Sequence, residues 1–185
     1  MLKRRFSEEV LNKCGAKVTF NKSYPLIFPM LDNGKFKGWV CRTTSKKIEI
    51  KRKYLYSQGF SRATTLVGNY GKKDFVVITE GFMDRLKFLQ FGYDNVVAIL
   101  GWKMSIEQIK KLKNKGIKNI ISALDNDVCG KKGTKFISEH FNVISFCYSD
   151  ELKDAGDIKN KKQFKKMFNK TKKVYKKEKR KWQVY

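Results

Sequence analysis

The chain has 185 residues, enough for one hydrophobic core with a small appendage, and a formal net charge of +25 at pH 7. Hydrophobic residues at 41% and aromatic residues at 14% exclude a disordered chain. No stretch approaches the ~20 apolar residues of a membrane-spanning helix, and the Lys-rich opening has no apolar signal core behind it, so a cytosolic protein with no membrane partner is expected.

The charge is uneven. Residues 1–70 hold 15 Lys/Arg against 4 Asp/Glu, residues 71–158 hold 14 against 12, and residues 159–185 hold 13 against 1. Basic flanks around a nearly neutral middle favour a polyanion, because neutralised phosphates release their condensed counterions. Cys14, Cys41, Cys129 and Cys147 form no CxxC pair and His140 is the only histidine, a pattern against zinc and against a disulfide framework. Cys41 and Cys147 lie in apolar runs and read as buried thiols.

In chain order, Ser7 opens a short helix that ends near Gly15. Strand-like pieces follow at Lys17–Phe20, Leu26–Met30, Lys37–Arg42 and Lys47–Lys51, with a hairpin signal at Asp32-Asn33-Gly34. From residue 75 the pattern changes. Runs rich in β-branched residues at Phe75–Thr79, Val96–Leu100, Asn119–Leu124 and Val143–Cys147 read as strands buried on both faces. Helical patterns separate them: Met83–Phe91 up to Gly92, a stretch capped by Ser105 up to Gly116, and Thr134–Phe141. This βαβαβαβ order predicts an α/β fold with a mostly parallel sheet flanked by helices, preceded by a small β-rich subdomain packed on it. In the Lys-rich tail, Phe164, Met167, Phe168, Thr171, Val174, Tyr175 and Trp182 fall near helical spacing, so one stripe can dock while lysines face outward. A solvated face and a nucleic-acid-binding face are both compatible with that stripe.

In an open parallel sheet, functional groups collect beyond the carboxyl ends of the strands. Three acidic clusters are expected there: Glu80 with Asp84, Asp125 with Asp127, and Asp154 with Asp157. Converging carboxylates repel one another, and a hard divalent cation relieves the repulsion; oxygen-only ligands point to Mg²⁺ or Mn²⁺, not zinc. Gly81 and Gly130 permit tight strand-to-helix turns that a Cβ would obstruct. The competing explanation is that each acid merely caps a helix or turn.

The same residues carry a resemblance. Ile78–Asp84 (ITEGFMD), Ala123–Gly130 (ALDNDVCG) and Lys153–Ile158 (KDAGDI) resemble the three acidic motifs of a Toprim domain. Ile99–Leu112 (ILGWKMSIEQIKKL), Leu26–Arg42 and Arg52–Phe60 (RKYLYSQGF) are similar to the RNA-polymerase core of bacterial DnaG-type primases. The resemblance covers residues 5–158 and implies a minimal form, without the zinc-binding module and the helicase-binding domain of the full-length enzymes. It divides the chain into a basic amino-terminal α+β subdomain (1–70), a Toprim catalytic domain (71–158) and a Lys-rich helix or tail (159–185).

The resemblance further implies a nucleotidyltransferase that makes short RNA primers on single-stranded DNA from nucleoside triphosphates with two or more Mg²⁺ or Mn²⁺ ions. Glu80, Asp125 and Asp127 would hold the principal ions, supported by Asp84, Asp154 and Asp157, while Arg42, Lys53 and Tyr54 would line the nucleic-acid and nucleotide path. A replicative helicase is a candidate partner, and a bacterial or phage-infected cytoplasm the setting. Two rivals stay open: a metal-dependent Toprim-type nuclease, and a noncatalytic nucleic-acid-binding replication accessory protein.

Overall fold

The computed structural model of the chain describes residues 6–44, 53–71 and 75–182. The expected strand at Lys47–Lys51 lies outside the described residues. Ser7 accepts the N–H of Val10 at 3.3 Å and starts α1 (Glu8–Lys13). The amino-terminal strands β1 (Lys17–Val18), β2 (Leu26–Asp32), β3 (Lys35–Arg42) and β4 (Tyr54–Tyr56) pair antiparallel. The β2–β3 hairpin turns at Asn33 and Gly34, whose φ angles of 49° and 85° are those a tight hairpin turn requires.

After the two-residue β5 (Val67–Gly68) comes the predicted alternation: β6 (Val76–Thr79), α2 (Phe82–Gln90), β7 (Val96–Ala98), α3 (Ile106–Asn114), β8 (Asn119–Ala123), α4 (Val128–Ser138) and β9 (Asn142–Ser145). A short 3₁₀ turn (Ala155–Asp157) then leads into α5 (Lys161–Trp182). Among the described residues the strands form one sheet in the order β4-β3-β2-β5-β7-β6-β8-β9, with β1 on β2. β7, β6, β8 and β9 run parallel, so their carboxyl ends share one rim.

Thus the amino-terminal strands extend the same sheet edge to edge. The junction is β5, antiparallel to β7 and parallel to β2 through the single pair Asp32↔Gly68. Gly68 is required there: its φ is +138° and a Cβ would stand 2.2 Å from the carbonyl of Val96. Asp32, 4% exposed, ties the junction together. Its carboxylate accepts the Leu66 N–H at 3.3 Å and the Tyr70 hydroxyl at 2.8 Å, and pairs with Lys111 of α3.

The period-two alternation of the central strands splits the core. Val77, Val96, Ile121 and Ile144 face Phe88 of α2 and Phe164, Met167, Phe168 and Tyr175 of α5. Val76, Ile78, Val97 and Ile120 face Ile109 and Leu112 of α3 and Ile137 of α4. Helices therefore cover both faces, which is why β6 and β7 read as unbroken apolar runs. β9, the edge strand, is less deeply covered and exposes Ser145.

Three expectations need correction. α4 starts at Val128, not Thr134, because the Asp127 side chain caps it and its glycines are there for close packing. Val174 does not belong to the buried stripe of α5; it is 38% exposed. Cys147 is only partly buried, at the end of the edge strand, whereas Cys41 is buried.

Candidate acidic site

Glu80 directly follows β6. Gly81 in extended conformation caps α2, so the helix begins at Phe82 and puts Asp84 in its first turn, 7% exposed. A Cβ on Gly81 would stand 2.8 Å from Asp84 Oδ2, so that carboxylate folds back over the strand-to-helix turn. One strand away, Asp125 and Asp127 follow β8. The Asp127 side chain accepts the Gly130 N–H at 3.0 Å. Gly130 packs so closely that a Cβ would stand 1.9 Å from the Asp125 carbonyl.

Asn126 fixes the third acidic segment beside the second. Its N–H donates to the Lys153 carbonyl at 2.6 Å and its side-chain amide to the Leu152 carbonyl at 3.3 Å. Asp154 accepts the Asp157 N–H at 3.2 Å, and Asp157 in turn accepts the Lys153 N–H at 3.1 Å. Asp127 and Asp154 are thus caps, as the competing explanation holds.

Capping does not account for the electrostatics. Burial raises the Glu80 carboxyl, with repulsion from Asp127, Asp84 and Asp154 adding to it against the opposing pull of Lys153. Burial first, then Glu80, Asp84 and Asp154, push Asp125 up to about 7. Asp127, more open, is held below the usual carboxylate range by the Gly130 N–H and by Lys153. The half-buried Tyr148 donates to the Ala123 carbonyl at 3.1 Å; burial and the neighbouring Asp84, Asp154, Asp125 and Asp157 hold its hydroxyl well above its ordinary value. All six predicted acids therefore share one electrostatic neighbourhood at the carboxyl rim.

The donor set is oxygen-only, partly desolvated and self-repelling, which fits a hard divalent cation. As the side chains stand, no group of three or more His, Cys, Asp or Glu among the described residues is gathered closely enough to hold an ion. Lys153, whose ammonium lies 3.6 Å from Asp127 Oδ2, supplies nearby positive charge.

The basic candidates lie together at the end of β3 and the start of β4, several strands along the sheet from β6. Arg42 ends β3 and pairs in register with Tyr54 of β4. Its guanidinium donates to the Tyr54 hydroxyl and lies 4.9 Å from the centre of that ring. Tyr54 meets the edge of Phe82 at 5.5 Å between centroids, two residues beyond Glu80 in the chain. Lys53 is exposed, and its carbonyl accepts the Thr43 N–H at 3.2 Å.

Sequence reasoning missed two members of this neighbourhood. Lys153 opens the third acidic stretch, yet its side chain is one of 42 Lys/Arg and nothing local marked it. Tyr148 had no signal beyond its position just past the last strand.

Residues 77–174 match the Toprim-like family. A DNA primase of Clostridium acetobutylicum is 34% identical over 149 residues, 72% of this chain and 24% of that protein. An uncharacterized protein of Mycoplasma genitalium is 30% identical over 154 residues, 78% of this chain and 69% of that one. The crystal structure of the zinc-binding and RNA-polymerase domains of the Aquifex aeolicus primase superposes with a TM-score of 0.73 at 19% identity, over 91% of this chain and 54% of that chain. The chain thus spans about a quarter of the clostridial primase.

Proposed function

This chain belongs to the Toprim-like family, and from that premise we propose that it is a primase-like nucleotidyltransferase that joins ribonucleotides on a single-stranded DNA template. The observation that carries the reading is that Glu80, Asp84, Asp125, Asp127 and Asp154 lie beyond strand ends of one rim, where burial and repulsion from the others raise Glu80 and Asp125. Glu80, Asp125 and Asp127 are the residues that would hold Mg²⁺ or Mn²⁺, in two or more ions, with Asp84, Asp154 and Asp157 supporting them. When bound, such ions supply Lewis-acid stabilisation of a triphosphate and of an attacking ribose hydroxyl.

The chain's own residues do the rest. Gly130 and the Asp127 cap fix the turn that presents Asp125 and Asp127. Asn126 holds the Asp154–Asp157 segment against it. Arg42, oriented by Tyr54, and the exposed Lys53 offer cations to phosphate from β3 and the start of β4, where Tyr54 meets Phe82. Lys153 sits where it neutralises part of the carboxylate charge and could equally meet an incoming phosphate.

The test supplies single-stranded DNA, labelled ribonucleoside triphosphates and Mg²⁺ or Mn²⁺. Short oligoribonucleotides that disappear with Asp125→Ala support the reading. A shortened DNA strand that depends on Asp125 would make the protein a nuclease, and binding without either product would make it an accessory protein.

A further inference from the structure

Resting on that reading and going beyond it, we infer that the outward face of α5 is a track for double-stranded nucleic acid leaving the acidic rim. Only three residues separate the helix from the Ala155–Asp157 turn, so it departs from the third acidic segment of the rim. Its 22 residues make a rod of about 33 Å. Phe164, Phe168, Thr171 and Tyr175 are buried against the sheet. Lys162, Lys166, Lys173, Lys177 and Arg180 are exposed and, at 3.6 residues per turn, fall in a stripe roughly 60° wide on the opposite side. Glu178, the only acid on the helix, pairs with Lys181 at 2.9 Å.

What the stripe lacks decides the partner. Single strands are held by charge together with aromatic platforms on which bases stack. Every aromatic residue of α5 turns inward: three are buried, and Trp182 packs on Tyr175 at 6.1 Å. A track with charge and no stacking surface gains most from the densest polyanion. A duplex carries about one charge per 1.7 Å of axis, twice that of either of its strands, with its bases already stacked.

The track also connects to the rim. Lys162 and Lys166 border a groove of about 870 Å³ that includes Tyr148, the tyrosine beside the carboxylates. Asp150 and Glu151 line the same groove, and their like charge disfavours phosphate beside them, so the outer stripe is the better path.

The test replaces Lys162, Lys166, Lys173 and Lys177 together by Gln in the full chain. A control variant neutralises four exposed lysines on and beyond α3, namely Lys110, Lys113, Lys115 and Lys118. Both remove equal charge from exposed positions, and circular dichroism and Tm verify folding. Binding of a fluorescent duplex of about 20 base pairs, and of either strand alone, is followed by anisotropy against salt. The α5 variant should lose duplex affinity selectively, its slope of log K against log salt falling by about 3 to 4 units for four lost phosphate contacts. Equal duplex losses in the two variants, or an α5 loss no greater for duplex than for single strand, would overturn the track. The outcome is separable from primer synthesis: a duplex-selective loss in a protein that makes no primers sinks the activity and keeps the track, and primers with no duplex loss do the reverse.

Discussion

Replacing Gly130 by Ala tests whether the turn after β8 sets the acidic site. Gly130 lies in the first turn of α4 with an ordinary negative φ, so the new methyl group brings no backbone strain and even gains about 1 kcal/mol of helix propensity. Against that, its Cβ would stand 1.9 Å from the Asp125 carbonyl oxygen. The contact is with backbone, so no rotamer relieves it, and the loop must retreat by about 1.5 Å or more to reach ordinary van der Waals separation. Overpacking of this kind costs about 1–3 kcal/mol and occasionally more; less the propensity gain, the net loss of up to about 2 kcal/mol corresponds to a Tm lower by up to roughly 8 °C in a chain of this size. Activity should suffer more than stability, because a displacement of about 1 Å between reacting groups costs on the order of 100-fold in rate. Calorimetry and the primer assay are run beside Gly101→Ala, where the new Cβ meets nothing within 4 Å. Gly130→Ala with the Tm and rate of the Gly101 control would refute the idea that close approach at this turn positions Asp125.

Other outcomes follow from the same structure. Asp32→Ala strands the buried Tyr70 hydroxyl and the partly exposed Lys111 and should cost about 1–3 kcal/mol in denaturant unfolding, with Mg²⁺ affinity of the folded protein unchanged. Lys153→Ala removes an exposed cation and should lower the metal-free Tm by the equivalent of no more than about 1 kcal/mol, while Mg²⁺ raises the Tm more than in the parent; an unaltered Mg²⁺ response would show that Lys153 does not compete with the ion. Asp125, pushed up to about 7, binds its proton more tightly folded than unfolded, so its ionisation destabilises the metal-free protein as pH rises from about 4 through 7 and has no effect at lower pH. Mg²⁺ must displace that proton below pH 7, so its affinity by calorimetric titration should fall by up to about tenfold per pH unit from pH 7 to pH 6; a flat profile counts against Asp125 as a ligand.

The parallel half of the fold was legible because its strands are covered on both sides. Val76 to Thr79 and Val96 to Ala98 have no polar face to confuse the pattern, and Ser105 with Gln108 forms a capping box that marks α3 in the sequence. The start of α4 was not legible, since Gly130 and Gly133 look like helix breakers. Each is small for a contact remote in sequence or loop geometry: Gly133 packs where a Cβ would stand 2.0 Å from the Trp102 carbonyl. β5, two residues long, is defined by its neighbours on both sides and has no periodicity of its own. That these acids would come to one rim was readable from the rule that strand ends in a parallel sheet share it. How far their side chains stand from closing on a point depends on Lys153 and on the Asn126 contacts, which no local pattern encodes. The buried stripe of α5 was readable too, with the consequence that deleting the tail would strip the core and is no clean probe of its charge.

The position of β5 has a consequence for reach. β3, which ends in Arg42, and β6, which leads into Glu80, belong to one hydrogen-bonded ladder with β2, β5 and β7 between them. Four interstrand steps of about 4.8 Å make a backbone span of about 19 Å measured along the sheet. Rotamer changes can shade that interval at its ends, but its main gauge comes in whole strands. A two-residue piece of chain, inconspicuous in itself, therefore sets how many strand widths part the backbones of Arg42 and Glu80, and the side chains of Tyr54 and Phe82 close what is left from one face.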